Sequence, residues 1–281
     1  MTRIRKDKTV RLAATLLAAA GLLVGATTAQ ADATLDRVKD RGVLTAGILV
    51  NGTAFGFLDP ASNTVKGFNV DLAQAVADKL GVKLDIVTVD PPNRVQFLQQ
   101  GKVDVLVASF TDTPERREQT SVIPTAYYEV GGAAMTRKDS GIATWEDLRG
   151  KTACASQGSH YARLLATEYG AEVRALKTSA EALSTLRAGG CVVSVHDNTL
   201  IYSLLKQPEW QDYKADLPLI GLGTWVAAVR KGQDDTAALV DGVIRDLHKS
   251  GGLIEIEKRW EIAPPSPFLA QMHEKLLNGG S

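Results

Sequence analysis

The chain has 281 residues, with 32 Lys and Arg against 32 Asp and Glu, and 44% of it is hydrophobic and 23% charged. This composition excludes a disordered chain. The zero formal charge excludes the strongly basic footprint of a nucleic-acid binder.

The first 31 residues read as a secretory signal peptide and not as part of the fold. Arg3, Arg5, Lys6, Lys8 and Arg11 precede an apolar run from Leu12 to Ala26, and the small residues of Ala29-Gln30-Ala31 supply a cleavage site. The run is short for a transmembrane span and no stop-transfer pattern follows it. The mature chain is therefore expected to begin near Asp32, mildly acidic, with 27 basic against 31 acidic residues. No cysteine stands at the cleavage site, so a free periplasmic protein is expected over a lipid-anchored one. About 250 residues remain, enough for a core divided between two lobes.

In chain order, Leu35 to Lys39 reads as a short helix ended by Gly42, and Val43 to Ile48 as a strand. Phe55-Gly56-Phe57-Leu58-Asp59 reads as a turn into a short strand with both aromatics on one face. Leu72, Ala75, Val76 and Leu80 have amphipathic helical spacing, closed by Gly81. Leu84 to Val89 is the next strand, Val95 to Gln100 the next helix, and Val103 to Ala108 a buried strand. Strand alternating with helix is the pattern of a parallel sheet.

That last strand delivers Ser109-Phe110-Thr111-Asp112-Thr113-Pro114-Glu115-Arg116. The open ends of strands in such sheets are where small ligands sit, and a planar guanidinium can grip two carboxylate oxygens at once. Ser109, Thr111 and Arg116 are thus candidates for holding a carboxylate. Thr113 followed by Pro114 and Glu115 also marks a helix start, N-cap first.

The pattern then begins again. Thr144 to Gly150 leads into strand Lys151 to Ala155, the polar turn Ser156-Gln157-Gly158-Ser159-His160, and a helix through Leu164 and Leu165. Val173 to Leu176 reads as a strand, Ala180 to Arg187 as a helix, and Cys191 to Val195 as a strand ending in His196-Asp197. Trp225 to Val229 is a further strand, and helices from Asp234 to Trp260 are expected to cover a lobe, with the Pro264-Pro265-Ser266-Pro267 run closing the last of them.

Taken together, Gly67-Phe68-Asn69-Val70-Asp71-Leu72, Asn93-Arg94, Gly101-Lys102-Val103-Asp104, Thr111-Asp112-Thr113-Pro114-Glu115-Arg116 and Leu148-Arg149-Gly150-Lys151 resemble the solute-binding proteins of polar amino-acid ABC importers. The likeness continues through Gly158-Ser159, Val195-His196-Asp197, Ala228 to Gly232 and Gly251-Gly252-Leu253 to Lys258-Arg259-Trp260. It implies an α/β fold of the type II periplasmic-binding-protein kind: two doubly wound lobes joined by two hinge strands and closing over one free amino acid. The crossings are expected near Tyr127 to Val130 and Leu222 to Trp225, giving one lobe from 32–126 and 226–281 and the other from 127–225. The resemblance places Ser109, Thr111 and Arg116 on the ligand's α-carboxylate, the Ser159-His160 turn beside it, and Asp197 on the α-ammonium. Isolated, Asp197 would read only as a strand-end carboxylate capping a helix.

Asn93-Arg94 is similar to the glutamate- and aspartate-binding branch, where that arginine approaches the distal carboxylate, so Arg94 is expected to do the same, with Phe55 also at the ligand. Gly52 stands where many relatives present a stacking aromatic, Leu49 or Val50 where some present a charge, and His160 where threonine, serine or glycine is usual. A polar, acidic L-amino acid is the expected ligand. A membrane permease is the expected partner and a monomer the expected state, with no nucleic acid and no cofactor.

Cys154 and Cys191 are the only cysteines, and an oxidising periplasm favours pairing them. They fall on the first and third strands of the second unit, neighbours in a doubly wound sheet. No spacing of His, Cys or Glu resembles a metal site. An enzyme is not expected. The alternative is a periplasmic cyclohexadienyl dehydratase on the same fold, for which Glu129 and His160 are the candidate general acids.

Overall fold

The computed structural model describes residues 33–51 and 53–279, so the leader and Gly52 lie outside the described residues. The first half runs α1 (Ala33–Arg41), β1 (Val43–Leu49), β2 (Phe57–Asp59), β3 (Thr64–Lys66), α2 (Phe68–Leu80), β4 (Lys83–Val89), α3 (Arg94–Gln99), β5 (Val105–Thr111), α4 (Pro114–Gln119) and β6 (Thr120–Val122). A long strand, β7 (Tyr128–Arg137), crosses to β8 (Thr152–Ser156), α5 (His160–Thr167), β9 (Glu172–Leu176), α6 (Ser179–Arg187), β10 (Val193–Asp197), α7 (Asn198–Leu204) and β11 (Tyr213–Lys214). The chain returns along β12 (Ile220–Arg230) to α8 (Asp234–Ser250), α9 (Gly252–Arg259) and α10 (Pro267–Leu277).

The main sheet has the order β4-β1-β5-β12-β7-β10-β8-β9. β4, β1 and β5 are mutually parallel, as are β10, β8 and β9. Between these blocks β12 and β7 pair antiparallel, with Trp225 opposite Tyr128 and Gly223 opposite Val130. Two α/β lobes thus share two long strands, and each lobe has its own core. One is built on Val105, Val107, Phe68, Leu72 and Ile244, the other on Ala153, Leu148, Tyr161, Val193 and Leu165.

Every residue of β5 is buried, as its apolar run requires of a strand covered on both faces. At its start, Asp104 accepts from the Thr45 amide at 2.9 Å and pairs with Arg37 and Arg41 at 3.0 and 2.5 Å, fastening α1 to the sheet.

Three local expectations are corrected. The strand does not end at Ala108 but carries on through Ser109, Phe110 and Thr111. The proline run does not close the last helix but opens another, α10, with Pro267 at the first helical position, where a missing N–H costs nothing. Buried Leu269 and Leu276 anchor it. Phe55 and Phe57 do not share a face: Phe55 packs edge-on against Trp225 at 4.8 Å, and Phe57 against Trp260 at 5.5 Å.

Cys154, in β8, is bonded to Cys191, just ahead of β10, with Cα atoms 5.9 Å apart. The bond closes a loop across a sequence separation of 37. Replacing both cysteines by alanine is expected to lower unfolding free energy by roughly 3 to 4 kcal/mol on the chain-entropy account. Urea denaturation reads the difference, and equal midpoints for the parent and the double variant would contradict it.

Candidate functional site

The site begins with an irregularity in β5. Phe110 pairs with Val226 and Leu106 with Ala228, so β5 carries two more residues than β12 over this stretch. Such bulges bend a strand and re-aim its side chains. Within the bulge Ser109 adopts φ 50°, the left-handed region that few non-glycine residues occupy. Backbone groups released from the ladder are taken by side chains. Arg94 Nη1 donates to the carbonyls of Ala108 and Ser109 at 2.7 and 3.2 Å, and the Ser109 amide donates to the Tyr127 hydroxyl at 3.0 Å.

Arg116 follows from the helix start that the sequence marks. Thr113 Oγ1 accepts the Arg116 amide at 3.3 Å as N-cap of α4, which turns the guanidinium back over the strand end. Its Nη1 donates to the Thr111 carbonyl at 2.5 Å, and its Nη2 reaches the other lobe, donating to the Gly158 carbonyl at 3.2 Å. The Phe110 ring lies beneath both guanidinium carbons, 4.4 Å from that of Arg116 and 4.9 Å from that of Arg94, a cation–π platform.

The facing wall comes from the second lobe. β10 ends at Asp197, whose carboxylate accepts the Tyr161 hydroxyl at 2.7 Å. Asp197 immediately precedes α7, yet its side chain makes no capping bond, so the helix-cap role open to an isolated aspartate is not the one it plays. His196 Nδ1 accepts the Asp197 amide at 2.7 Å, which puts the ring proton on Nε2 and leaves the imidazole neutral. The 3.4 Å approach of that same Nδ1 to the Asp197 carboxylate is therefore not an ion pair. Ser159 caps α5 by accepting the Ala162 amide at 3.3 Å, and Ser156 Oγ is buried with no hydrogen-bond partner among the described residues.

Arg94, Ser109, Thr111 and Arg116 from the first lobe and Ser159, His160 and Asp197 from the second border one cavity, together with Leu49, Pro91, Ser156, Tyr161 and His196. Phe55 does not reach it. That residue is 2% exposed in the first-lobe core, its ring also 4.8 Å from Tyr128, because the turn at Gly56 directs it toward the shared strands. Of the residues sequence reasoning passed over, His196 was within reach as the neighbour of Asp197. Tyr161 was not: no spacing links 161 to 197, and only the pairing of β8 with β10 brings their elements together.

Burial pushes the Arg94 guanidinium well down from its usual range, with the Arg116 charge adding to the effect. Arg116 is pulled down to about 10, chiefly by burial, against the attraction of Asp197. Arginine stays charged in proteins, so these directions record the cost of holding two cations out of water. Neither guanidinium is ion-paired with a carboxylate among the described residues. Glu115 and Asp112 are engaged by Arg163 and Arg117. With both histidines neutral, the cavity wall carries two positive charges against the single negative charge of Asp197.

Burial lowers the pKa of His160, His196 and His248, desolvation being the largest cause for each. Their neutral forms belong to the folded state, whereas the unfolded chain takes up protons at the usual value of about 6.5. The stability they confer is complete above that pH and is lost as pH falls toward the depressed folded values. The thermal midpoint without ligand is expected to drop between pH 7 and pH 5, above the range where the carboxylates titrate. A midpoint that is flat or rising over that interval would contradict this.

The family model described as bacterial extracellular solute-binding proteins, family 3, matches residues 44–263. The glutamine-binding protein of an ABC transporter from Bacillus subtilis is 28% identical over 232 residues, 81% of this chain and 84% of that protein. The L-glutamate/L-aspartate-binding protein of Pseudomonas aeruginosa is 26% identical over 249 residues, 83% of this chain and 82% of that protein. Among solved structures, the cysteine-binding protein from Campylobacter jejuni superposes with a TM-score of 0.76 at 28% identity, covering 82% of this chain and 93% of that one. The arginine-bound form of a truncated ArgBP from T. maritima gives 0.70 at 28% identity, covering 75% and 99%.

Proposed function

Because this chain belongs to the bacterial extracellular solute-binding proteins of family 3, we propose that it binds a free acidic L-amino acid between its lobes in the periplasm and delivers it to the membrane permease of an ABC importer. Relatives named for different ligands share the fold, so likeness alone does not choose among them. The observation that supports an acidic ligand is the charge count of the cavity. Arg94 and Arg116 face it with only Asp197 opposite, an excess of one positive charge, and glutamate or aspartate carries one net negative charge.

In this reading the α-carboxylate meets Ser109, Thr111, Arg116 and the Ser159-His160 turn, and the ammonium meets Asp197. The distal carboxylate meets Arg94, whose Nε and Nη2 remain available while Nη1 serves the strand. A cationic amino acid would add a third positive charge to a desolvated site, a several-kcal/mol penalty without a partner. Closure is the hinge motion of two lobes about β7 and β12. Contacts that cross the cleft support it: Arg116 to the Gly158 carbonyl, Arg163 to Glu115 at 2.5 Å, and Lys177 to Asp90 at 3.6 Å.

The dehydratase alternative loses one of its two candidate acids. Glu129 is exposed and borders a groove with Asn198, Tyr202 and Pro264, away from the cavity. Incubation with prephenate or arogenate, followed for phenylpyruvate or phenylalanine, is expected to give no product. The binding reading is tested by thermal shift across the amino acids, since a ligand of the folded state raises the midpoint with the logarithm of its concentration over Kd. Glutamate and aspartate are expected to raise it, and a response to arginine or lysine alone would refute an acidic ligand.

A further inference from the structure

Ser109 is held at every polar atom it has. Tyr127 takes its amide hydrogen at 3.0 Å, Arg94 reaches its carbonyl at 3.2 Å, and Asn69 Nδ2 donates to its hydroxyl oxygen at 3.2 Å. Asn69 and Tyr127 are each 0% exposed, and they come from different elements, the start of α2 and the entry to β7. A serine at φ 50° is strained relative to extended backbone, and such a conformation persists only where its surroundings over-determine it. The bulge explains why over-determination is needed. Two residues inserted against β12 free backbone groups that the ladder no longer satisfies, and a buried N–H or C=O without a partner is costly.

We propose that Asn69 and Tyr127 are positioning residues that, with Arg94, hold Ser109 in its left-handed conformation and so fix where its hydroxyl stands, beside that of Thr111, for the ligand's carboxylate. The proposal rests on the reading of the cavity as an amino-acid site. It adds that the first-lobe half of that site is set by residues beneath it. An undistorted strand puts alternate side chains on one face with no gap in its ladder. Ser109 and Thr111 keep that alternation, both bordering the cavity while Phe110, between them, lies beneath the two guanidiniums; what the left-handed residue changes is the ladder, whose Ser109 amide and carbonyl turn to Tyr127 and Arg94. Asn69, by donating to Ser109 Oγ, leaves the serine's own hydrogen free to point at an acceptor in the cavity. Arg94 then has two tasks on separate nitrogens, Nη1 for the bulge and the rest of the fork for the ligand. Removing the Tyr127 hydroxyl leaves the Ser109 amide unpaired, so the unliganded bulge relaxes and the ligand must restore it, lowering apparent affinity by the fraction that stays competent.

Tyr127→Phe is the test, made on the whole mature chain and read in two ways. Without ligand, amide hydrogen exchange at Ser109 should become about tenfold faster or more, since its bonding partner is gone, while the Val226 amide keeps its rate. Unchanged exchange at Ser109 overturns the proposal. With L-glutamate in a calorimeter, Tyr127→Phe should weaken binding about tenfold in the parent. Glycine adopts the left-handed conformation without support, so in a Ser109→Gly background the same change should cost less than about threefold. Equal factors in the two backgrounds overturn the proposal. Asn69→Ala provides a second variant should Tyr127→Phe fold poorly: losing its bond to Ser109 Oγ, it should likewise speed exchange at the Ser109 amide, and an unchanged rate there overturns the proposal. If the parent takes up neither L-glutamate nor L-aspartate, the acidic-ligand reading fails, and the exchange comparison still decides the cradle.

Discussion

Asp197→Asn is expected to weaken amino-acid binding by about a thousandfold or more, the scale of a buried charge pair broken on one side. The substitution is nearly isosteric, and the asparagine carbonyl can still accept the Tyr161 hydroxyl that Asp197 holds at 2.7 Å. What disappears is charge. In the proposed reading the ligand's ammonium loses its counter-ion, and Arg94 and Arg116 are left facing the cavity with no protein anion opposite them among the described residues. Calorimetric titration measures the loss, and a thermal midpoint taken alongside shows whether the fold survives. An affinity within tenfold of the parent would mean that the ammonium is held elsewhere and that Asp197 merely ends β10.

Arg94→Gln is expected to reverse the preference between charged and uncharged side chains. Glutamate should lose about two orders of magnitude in affinity with its distal partner, and glutamine should hold or gain, so the ratio between them moves by about a hundredfold or more. Glutamine at 94 retains a donor for the Ala108 carbonyl, so part of the bulge support survives while the charge does not. Competition between the two ligands for one site reads the ratio directly. Equal losses for both would show that Arg94 serves only the strand. Arg94→Lys separates the parts further, because it keeps the charge and discards the fork.

Much of the fold was legible because local rules and tertiary structure agree. The αL glycine at Gly81 ends α2, and the Thr113-Pro114 pair starts α4. What escaped was set by contacts distant in sequence. The bulge in β5 exists because β12, more than a hundred residues later, pairs out of step with it, and no pattern within Val105 to Thr111 reports that mismatch. The proline run was misread because a proline ends one helix and begins another with equal ease, and only the apolar contacts of Leu269 and Leu276 decide which. At the site, residues carrying formal charge or a hydroxyl after a strand stood out, whereas Asn69 and Tyr127 sit in motifs that read as ordinary helix and strand starts. Phe55 shows the converse error: an aromatic near a turn is attractive as a ligand contact, but burial among Phe68, Tyr128 and Trp225 claims it first.

Titration of residues 32–281 with L-glutamate, L-aspartate, L-glutamine and L-arginine in one calorimetric series, at neutral pH and fixed salt, tests the charge count most directly. An excess of one positive charge across the cleft predicts tight binding of the two acidic amino acids, weaker binding of glutamine, and none of arginine. Arginine bound more tightly than glutamate would contradict it.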